Sequence, residues 1–395
     1  MSYGINSEEL AEYYSDFKVS ERILLTGHSH QAWPNIAKKG IIRSWQDAAE
    51  LADLKWGRAF EKADRVRAGF KMLMNDDDGL IALASNTHEL IIKFLSALDL
   101  KNRSKIITTD MEFHTVRRQL DRLGEENIEI VRISSSPIED IADRIIKEID
   151  DKTSCVILSK CFYKNGRIVK NLGTIEKECL RMGALLLVDL YHVMNVLEFD
   201  IKIEGLTNSF LVGGGYKYCQ LGEGNCFLRI PHDIRLRPII TGWFSEFNKL
   251  AETKKAGEVP YGEGHFRFAG STYDPVSNYR AAEVFDFFAE NELTVGKLRE
   301  KNLSQIKLLA KLFDAYDFNP NIIRKENNDD LSLSGGFFVL ITEYSSQINL
   351  ELFKRNIFSD FRENHLRFGP APYVTDEQLT FAMSELNEII KIIGK

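Results

Sequence analysis

Cysteine is sparse and never paired in a CxxC spacing: Cys155, Cys161, Cys179, Cys219 and Cys226 form an odd set, which excludes a secreted disulfide framework and a structural zinc ribbon. Proline is scarce as well, 9 residues in 395, and 26 glycines complete a composition that excludes collagen-like and low-complexity classes. No apolar run approaches the roughly 20 residues of a membrane span. The opening MSYGINSEELAEYYSDF lacks the basic and apolar regions of an export signal. A protein that is neither exported nor membrane-spanning is expected, in a reducing, cytoplasmic compartment. Positive charge is not in surplus: 51 Lys+Arg stand against 58 Asp+Glu, a net charge of −7. Nucleic acid and anionic membranes, which select a positive field, are therefore not expected partners.

What is present is an ordinary globular composition, 44% hydrophobic and 28% charged, in a chain whose length predicts two or three domains. From about residue 78 to 230, short apolar runs (LIALAS, KIITTD, IEIVRIS, SCVILSK, ALLLVDL, SFLVGGG, NCFLRI) alternate with amphipathic stretches such as THELIIKFLSAL. That βαβ rhythm, with runs apolar on every residue, predicts a mostly parallel sheet buried under helices on both faces. After Thr272 the pattern changes to one helical stretch from about Val276 to Phe313, isolated strands in GGFFVLIT and HLRFG, and a last helix from near Asp376. The expected division is an N-terminal helical segment (1–74), a large α/β domain (75–272) and a smaller α+β domain (273–395). The polar stretch from Ala251 to Gly264 reads as a surface loop.

Ligands of open α/β sheets bind beyond the carboxyl ends of the strands. After the first run stand Ser85, Asn86 and Thr87, which could hold a phosphate at a helix N-terminus or simply cap the helix. After ALLLV comes Asp189, with Tyr191 and His192 beyond it; a buried strand-end carboxylate needs a cationic partner, structural or bound. After SFLV, Gly213-Gly214-Gly215 leads into Tyr216-Lys217-Tyr218. This is no Walker A loop, but it lets a ligand approach the backbone and can desolvate the lysine, and a neutral amine is what Schiff-base chemistry requires. A plain surface lysine on a turn is the alternative.

These residues form an ordered set that resembles the aspartate-aminotransferase superfamily (fold type I) of pyridoxal-phosphate enzymes, its class V branch, and within that the kynureninases. The resemblance is carried by SNTHEL (85–90), EFHT (112–115), VDLYH (188–192), YKY (216–218), GWF (242–244), GST (270–272) and LRFGPAP (366–372), in family order from residue 85 to residue 372. It implies pyridoxal 5′-phosphate in Schiff-base linkage to Lys217, with Asp189 on the pyridine nitrogen, Phe113 stacked on the ring and His192 nearby. Asn86, Thr87, Tyr216 and Trp243 would hold the phosphate, with Ser271 or Thr272 arriving from a neighbouring subunit of a homodimer whose active site lies at the interface. Tyr216 would donate a proton, Arg367 would clamp the substrate carboxylate, and His28 and Ser29 would touch the substrate. The implied reaction is hydrolysis of the Cβ–Cγ bond of kynurenine or a related γ-keto amino acid to alanine and an aryl acid. The alternatives are another class V reaction (a transaminase, or a lyase of C–S or C–C bonds) or a non-catalytic descendant. Cysteine desulfurases place a nucleophilic cysteine well after the lysine, and no cysteine follows Cys226.

Two departures from the kynureninase pattern stand out. A Phe-Pro-Thr-Asp run usual in bacterial members reads Phe113-His114-Thr115-Val116, so no second carboxylate is expected near the pyridine nitrogen. TGHSHQAWP (26–34) places His28 and His30 where a DGNSLG-type turn is usual; no metal is expected there, since no further ligand spacing accompanies the pair.

Overall fold

The computed structural model describes residues 4–253, 255–326 and 330–393. In chain order, α1 (Ser7–Glu12), β1 (Ile23–Leu24), α2 (Ala37–Leu51) and α3 (Lys55–Met74) lead into β2 (Leu80–Ala84) and α4 (Thr87–Ser96). Then follow β3 (Lys105–Thr109), α5 (His114–Gly124), β4 (Glu129–Ile133), α6 (Ile141–Glu148), β5 (Thr153–Ser159), α7 (Leu172–Met182), β6 (Leu185–Asp189), β7 (Phe210–Gly214) and β8 (Cys226–Ile230). The predicted apolar runs thus become one seven-stranded sheet, ordered β2-β8-β7-β6-β5-β3-β4.

Every neighbouring pair from β7 through β4 is parallel, and β8 runs antiparallel to both β7 and β2. Strands β3, β5, β7 and β8 are buried along their whole length, as strands covered by helices on both faces must be. The expected α/β class, a mostly parallel seven-stranded sheet flanked by helices, is what forms. Its topology has one functional consequence. The carboxyl ends of β2, β3, β5, β6 and β7 all lie on the same edge, so the residues that follow them converge.

Beyond the sheet come α8 (Val276–Glu290), α9 (Val295–Ala315), β9 (Arg324–Lys325), β10 (Phe338–Ile341), α10 (Ser345–Phe353), β11 (Ile357–Phe358), β12 (Asp360–Arg362), β13 (His365–Phe368) and α11 (Asp376–Ile393). The helical stretch expected from Val276 to Phe313 is two helices: Glu292 takes a left-handed φ of 50°, and Thr294 restarts the helix by accepting a bond from the Lys297 N–H. Nor are the later strands isolated, for they pair as a four-stranded antiparallel sheet, β12-β13-β10-β9. Its register sets Asp360 directly opposite Arg367. The N-terminal segment joins this part of the molecule, β1 pairing in parallel with β11 and α2 packing on α8. Among the described residues no helix is long and apolar enough to cross a membrane.

Candidate active site

At the shared carboxyl edge lies a cavity of about 480 Å³ lined by residues at or just past the ends of five strands, among them Thr87, Phe113, Ser159, Asp189 and Lys217. Lys217, on the turn after β7, is 7% exposed. Its Nζ lies 2.7 Å from His192 Nε2 and 4.6 Å from the centre of the Tyr191 ring. Burial pushes the ammonium down to about 7, against the pull of Asp189. Asp189 closes β6 and accepts a 2.7 Å bond from the Tyr191 N–H at Oδ1; burial raises its carboxyl, and that N–H and Lys217 oppose the rise. Burial followed by the charge of Lys217 keeps His192 well below its usual value and therefore neutral. Its Nδ1 is buried with no hydrogen-bond partner.

Phe113, the residue before α5, puts its ring 5.8 Å from Lys217 Nζ and edge-on to Tyr163. Tyr216 lines the same cavity and packs against Tyr191, while His30 stacks on it at 4.7 Å. Asn86 caps α4, accepting from the Glu89 N–H at 2.9 Å and donating to the Glu89 carboxylate at 3.1 Å. These two bonds leave one Nδ2 hydrogen and one Oδ1 lone pair, and both Asn86 and Thr87 line the cavity at the start of α4.

Other expected site residues lie elsewhere. Trp243 donates from Nε1 to Thr272 Oγ1 at 3.3 Å; both are exposed and neither lines the Lys217 cavity. Thr272 and Ser271 border a neighbouring cavity of about 650 Å³ walled by Phe60, Phe244 and Phe247. Ser29 bonds His30 at 3.2 Å and also stays outside the Lys217 cavity. His28 is buried, stacked on Phe337, with Nε2 3.2 Å from Asp360 Oδ1. Arg367 is 2% exposed and paired with Asp360, its Nε 2.6 Å from Oδ1, while another of its nitrogens donates to the Tyr163 carbonyl. Its charge reaches Lys217 and His192, lowering both.

Glu112, one residue before Phe113, is a further buried carboxylate in this region, outside the cavity lining. It is buried between the ends of β3 and β5, accepting from Thr109 Oγ1 at 2.6 Å, the Ser159 N–H at 3.1 Å and Ser159 Oγ at 2.6 Å. Ser159 is the register partner of Asp189, and the two carboxylates repel. Burial pushes Glu112 up to about 7. The one signal in the sequence was a carboxylate placed three residues past an apolar strand, just before the candidate stacking ring. The thiols facing the cavity, Cys161 and Cys226, are pushed by burial up to about 12 and stay protonated.

No protein-family model matches the chain. It is 22% identical over 347 residues to the "Uncharacterized aminotransferase YcbU" of Bacillus subtilis (strain 168), covering 87% of this chain and 88% of that one. Among solved structures it resembles an apo cysteine desulfurase from Thermococcus onnurineus NA1, with a TM-score of 0.81, 14% identity and coverage of 99% and 100% of the two chains. It also resembles the cystine C–S lyase C-DES in complex with its product cysteine persulfide, with a TM-score of 0.78, 15% identity and coverage of 94% and 98%. With a seven-stranded sheet of this order and these likenesses across nearly its whole length, the chain has the fold type I architecture of class V aminotransferases and cysteine desulfurases.

Proposed function

We propose that the protein is a pyridoxal-phosphate-dependent enzyme of the class V kind acting on a small amino acid, and that its reaction is kynureninase-like hydrolysis of a Cβ–Cγ bond. The observation that carries the reading is a buried lysine amine, a strand-end carboxylate and an aromatic face brought to one cavity by separate strands. These residues fit the cofactor, and the buried His192 Nδ1 without a partner leaves one polar atom for it to satisfy. Pyridoxal phosphate, when bound, supplies an electron sink for the pair left at Cα when a bond there breaks.

The chain's own residues do the rest. Lys217, eased toward its neutral form by burial, is the attacking amine that attaches the cofactor. Its free amine would also be the base that accepts a proton from the substrate Cα. His192, held neutral, accepts a hydrogen bond from Lys217 Nζ and so orients the amine. Asp189 has one oxygen fixed by the Tyr191 N–H, and its carboxylate would pair with the cofactor's ring nitrogen and favour that nitrogen's protonated form. Phe113 would cover one face of the cofactor ring. Thr87 and the start of α4 hold the phosphate through N–H groups at the positive end of the helix. Tyr216 donates a proton after the bond is cut, and Arg367 binds the substrate carboxylate. Trp243 and Thr272, joined on the surface and away from their own chain's cavity, serve the site of a second copy in a homodimer.

Transamination is the second reading, favoured by the name of the B. subtilis relative. Persulfide chemistry on a protein cysteine is disfavoured, since both thiols at the cavity are held protonated. The deciding experiment incubates the pyridoxal-phosphate-loaded protein with kynurenine and 3-hydroxykynurenine and measures alanine and anthranilate-type products. Keto-acid products alone replace hydrolysis with transamination; protein that stays colourless in pyridoxal phosphate removes both readings.

A further inference from the structure

The turn that carries Lys217 is anchored by a residue outside the cavity. Gln220 is 1% exposed, and its N–H donates to the Lys217 carbonyl at 3.0 Å, so it closes the turn that Lys217 opens. Its φ of 57° is left-handed, a costly conformation for a residue with a Cβ. What holds it there is a side chain bonded at both ends. Oε1 accepts from the Tyr14 hydroxyl, and Nε2 donates to Gln31 Oε1 at 2.7 Å. Both partners belong to the N-terminal segment and both are buried. That segment is itself fixed: the Ala32 N–H donates to the Tyr373 hydroxyl at 3.1 Å, and the Tyr373 ring lies 4.7 Å from that of Tyr14. Beyond Gln220 the chain is pinned again. Arg280 Nε donates to the Leu221 carbonyl at 2.7 Å and another of its nitrogens to the Glu223 carbonyl, while its guanidinium lies 4.3 Å from the centre of the Trp33 ring.

We infer that Gln220 is a positioning residue for Lys217, its amide tying the lysine's turn to Tyr14 and Gln31, and that the N-terminal segment thereby belongs to the working parts of the site. The inference rests on the proposed pyridoxal-phosphate reading and deepens it. In that reading one amine attaches the cofactor and later serves as a base. It sits on a flexible four-carbon stem, so it returns to one place only if the main chain beneath it stays still. The strand side of the turn, Gly213 to Gly215, consists of the residues least able to hold a backbone in place. Gln220 supplies the rigidity from the other side. Shifting its amide would break two buried hydrogen bonds with no water to replace them.

The test separates attachment from simple binding. It compares the rate at which pyridoxal phosphate becomes linked in borohydride-reducible form with the dissociation constant of pyridoxamine phosphate, which has the same ring and phosphate but no aldehyde. Gln220→Gly suits the left-handed backbone and removes the tether. Attachment should slow about tenfold, inside the roughly hundredfold cost of a 1 Å misplacement, with the pyridoxamine phosphate constant unchanged. Tyr14→Phe, which deletes one hydroxyl and leaves Gln220 in place, should slow attachment about threefold, as the loss of one hydrogen bond does. Combined with Gln220→Gly it should add nothing, because both act through one tether. An unchanged attachment rate in either variant overturns the inference, and Tyr14→Phe decides alone if Gln220→Gly does not fold. Pyridoxamine phosphate binding that weakens in step with attachment overturns it too, since Gln220 would then support the site as a whole. So do effects that multiply in the double variant. Wild-type protein that does not link pyridoxal phosphate at all fails earlier, at the cofactor reading, and this inference falls with it.

Discussion

The two ends of the site are built in different ways. The Lys217 end stands on the carboxyl edge of one sheet: Asp189, Glu112, Phe113 and Lys217 each follow a strand of it by at most a few residues. The Arg367 end is assembled from chain segments more than three hundred residues apart, His28 reaching Asp360 and the β12–β13 pair holding Arg367. The first arrangement inherits its geometry from backbone hydrogen bonds and buried strands. The second depends on side-chain pairing between elements far apart in the chain, whose geometry no single sheet sets.

That contrast can be broken at either end. The largest effect is expected from Lys217→Ala, which should abolish the borohydride-reducible covalent cofactor and the yellow colour altogether. In the wild-type protein the rate of covalent capture should rise with pH through about 7 and level off above it, because the neutral amine, absent below that value, is the nucleophile. A capture rate still climbing steeply toward pH 10 would show that Lys217 is not desolvated.

A smaller effect is expected at the other end. Arg367→Ala should lower kcat/KM for an amino acid by about ten- to a hundredfold, the loss of a charge-assisted contact of roughly 1.5–3 kcal/mol, with cofactor colour kept. Joint loss of colour and activity would show that the two ends are not separable.

The smallest effect belongs to Glu112, and it is one of stability. Its carboxyl is raised in the folded protein to about 7, so its favourable contribution is complete below the ordinary glutamate range and is lost as pH rises through 7. Glu112→Gln should flatten the fall in urea-unfolding free energy between about pH 4.5 and 7 by at most about 3 kcal/mol. A pH profile identical to that of the wild type would place the titration elsewhere.

How much of this was legible in the sequence follows from the same contrast. Strand-end residues can be read because apolar runs announce the strands and topology brings their ends together; hence Asp189, Lys217, Phe113 and Thr87, singled out in the sequence, line one cavity. Asn86 keeps both readings, since a helix cap and a phosphate ligand use the same residue types, and it both caps α4 through Glu89 and lines the cavity. Glu112 was missed because one position in a strand-to-helix turn gives no periodic signal. Asp360 was missed because its meaning lies in a partner on another strand. His28, expected at the substrate, pairs with Asp360 across 332 residues, a contact that spacing in a linear chain does not encode.

By itself, then, the sequence determined the α/β class, the parallel sheet and the edge where chemistry gathers, since all three follow from local hydrophobic period and from the backbone's need to pair. The tertiary structure alone decided that Arg367 pairs with Asp360, that Glu112 is held by Ser159, and that Trp243 and Thr272 lie away from their own chain's cavity. Those depend on register and packing between distant segments, whose energies are set by the partner each side chain meets and not by its own residue type.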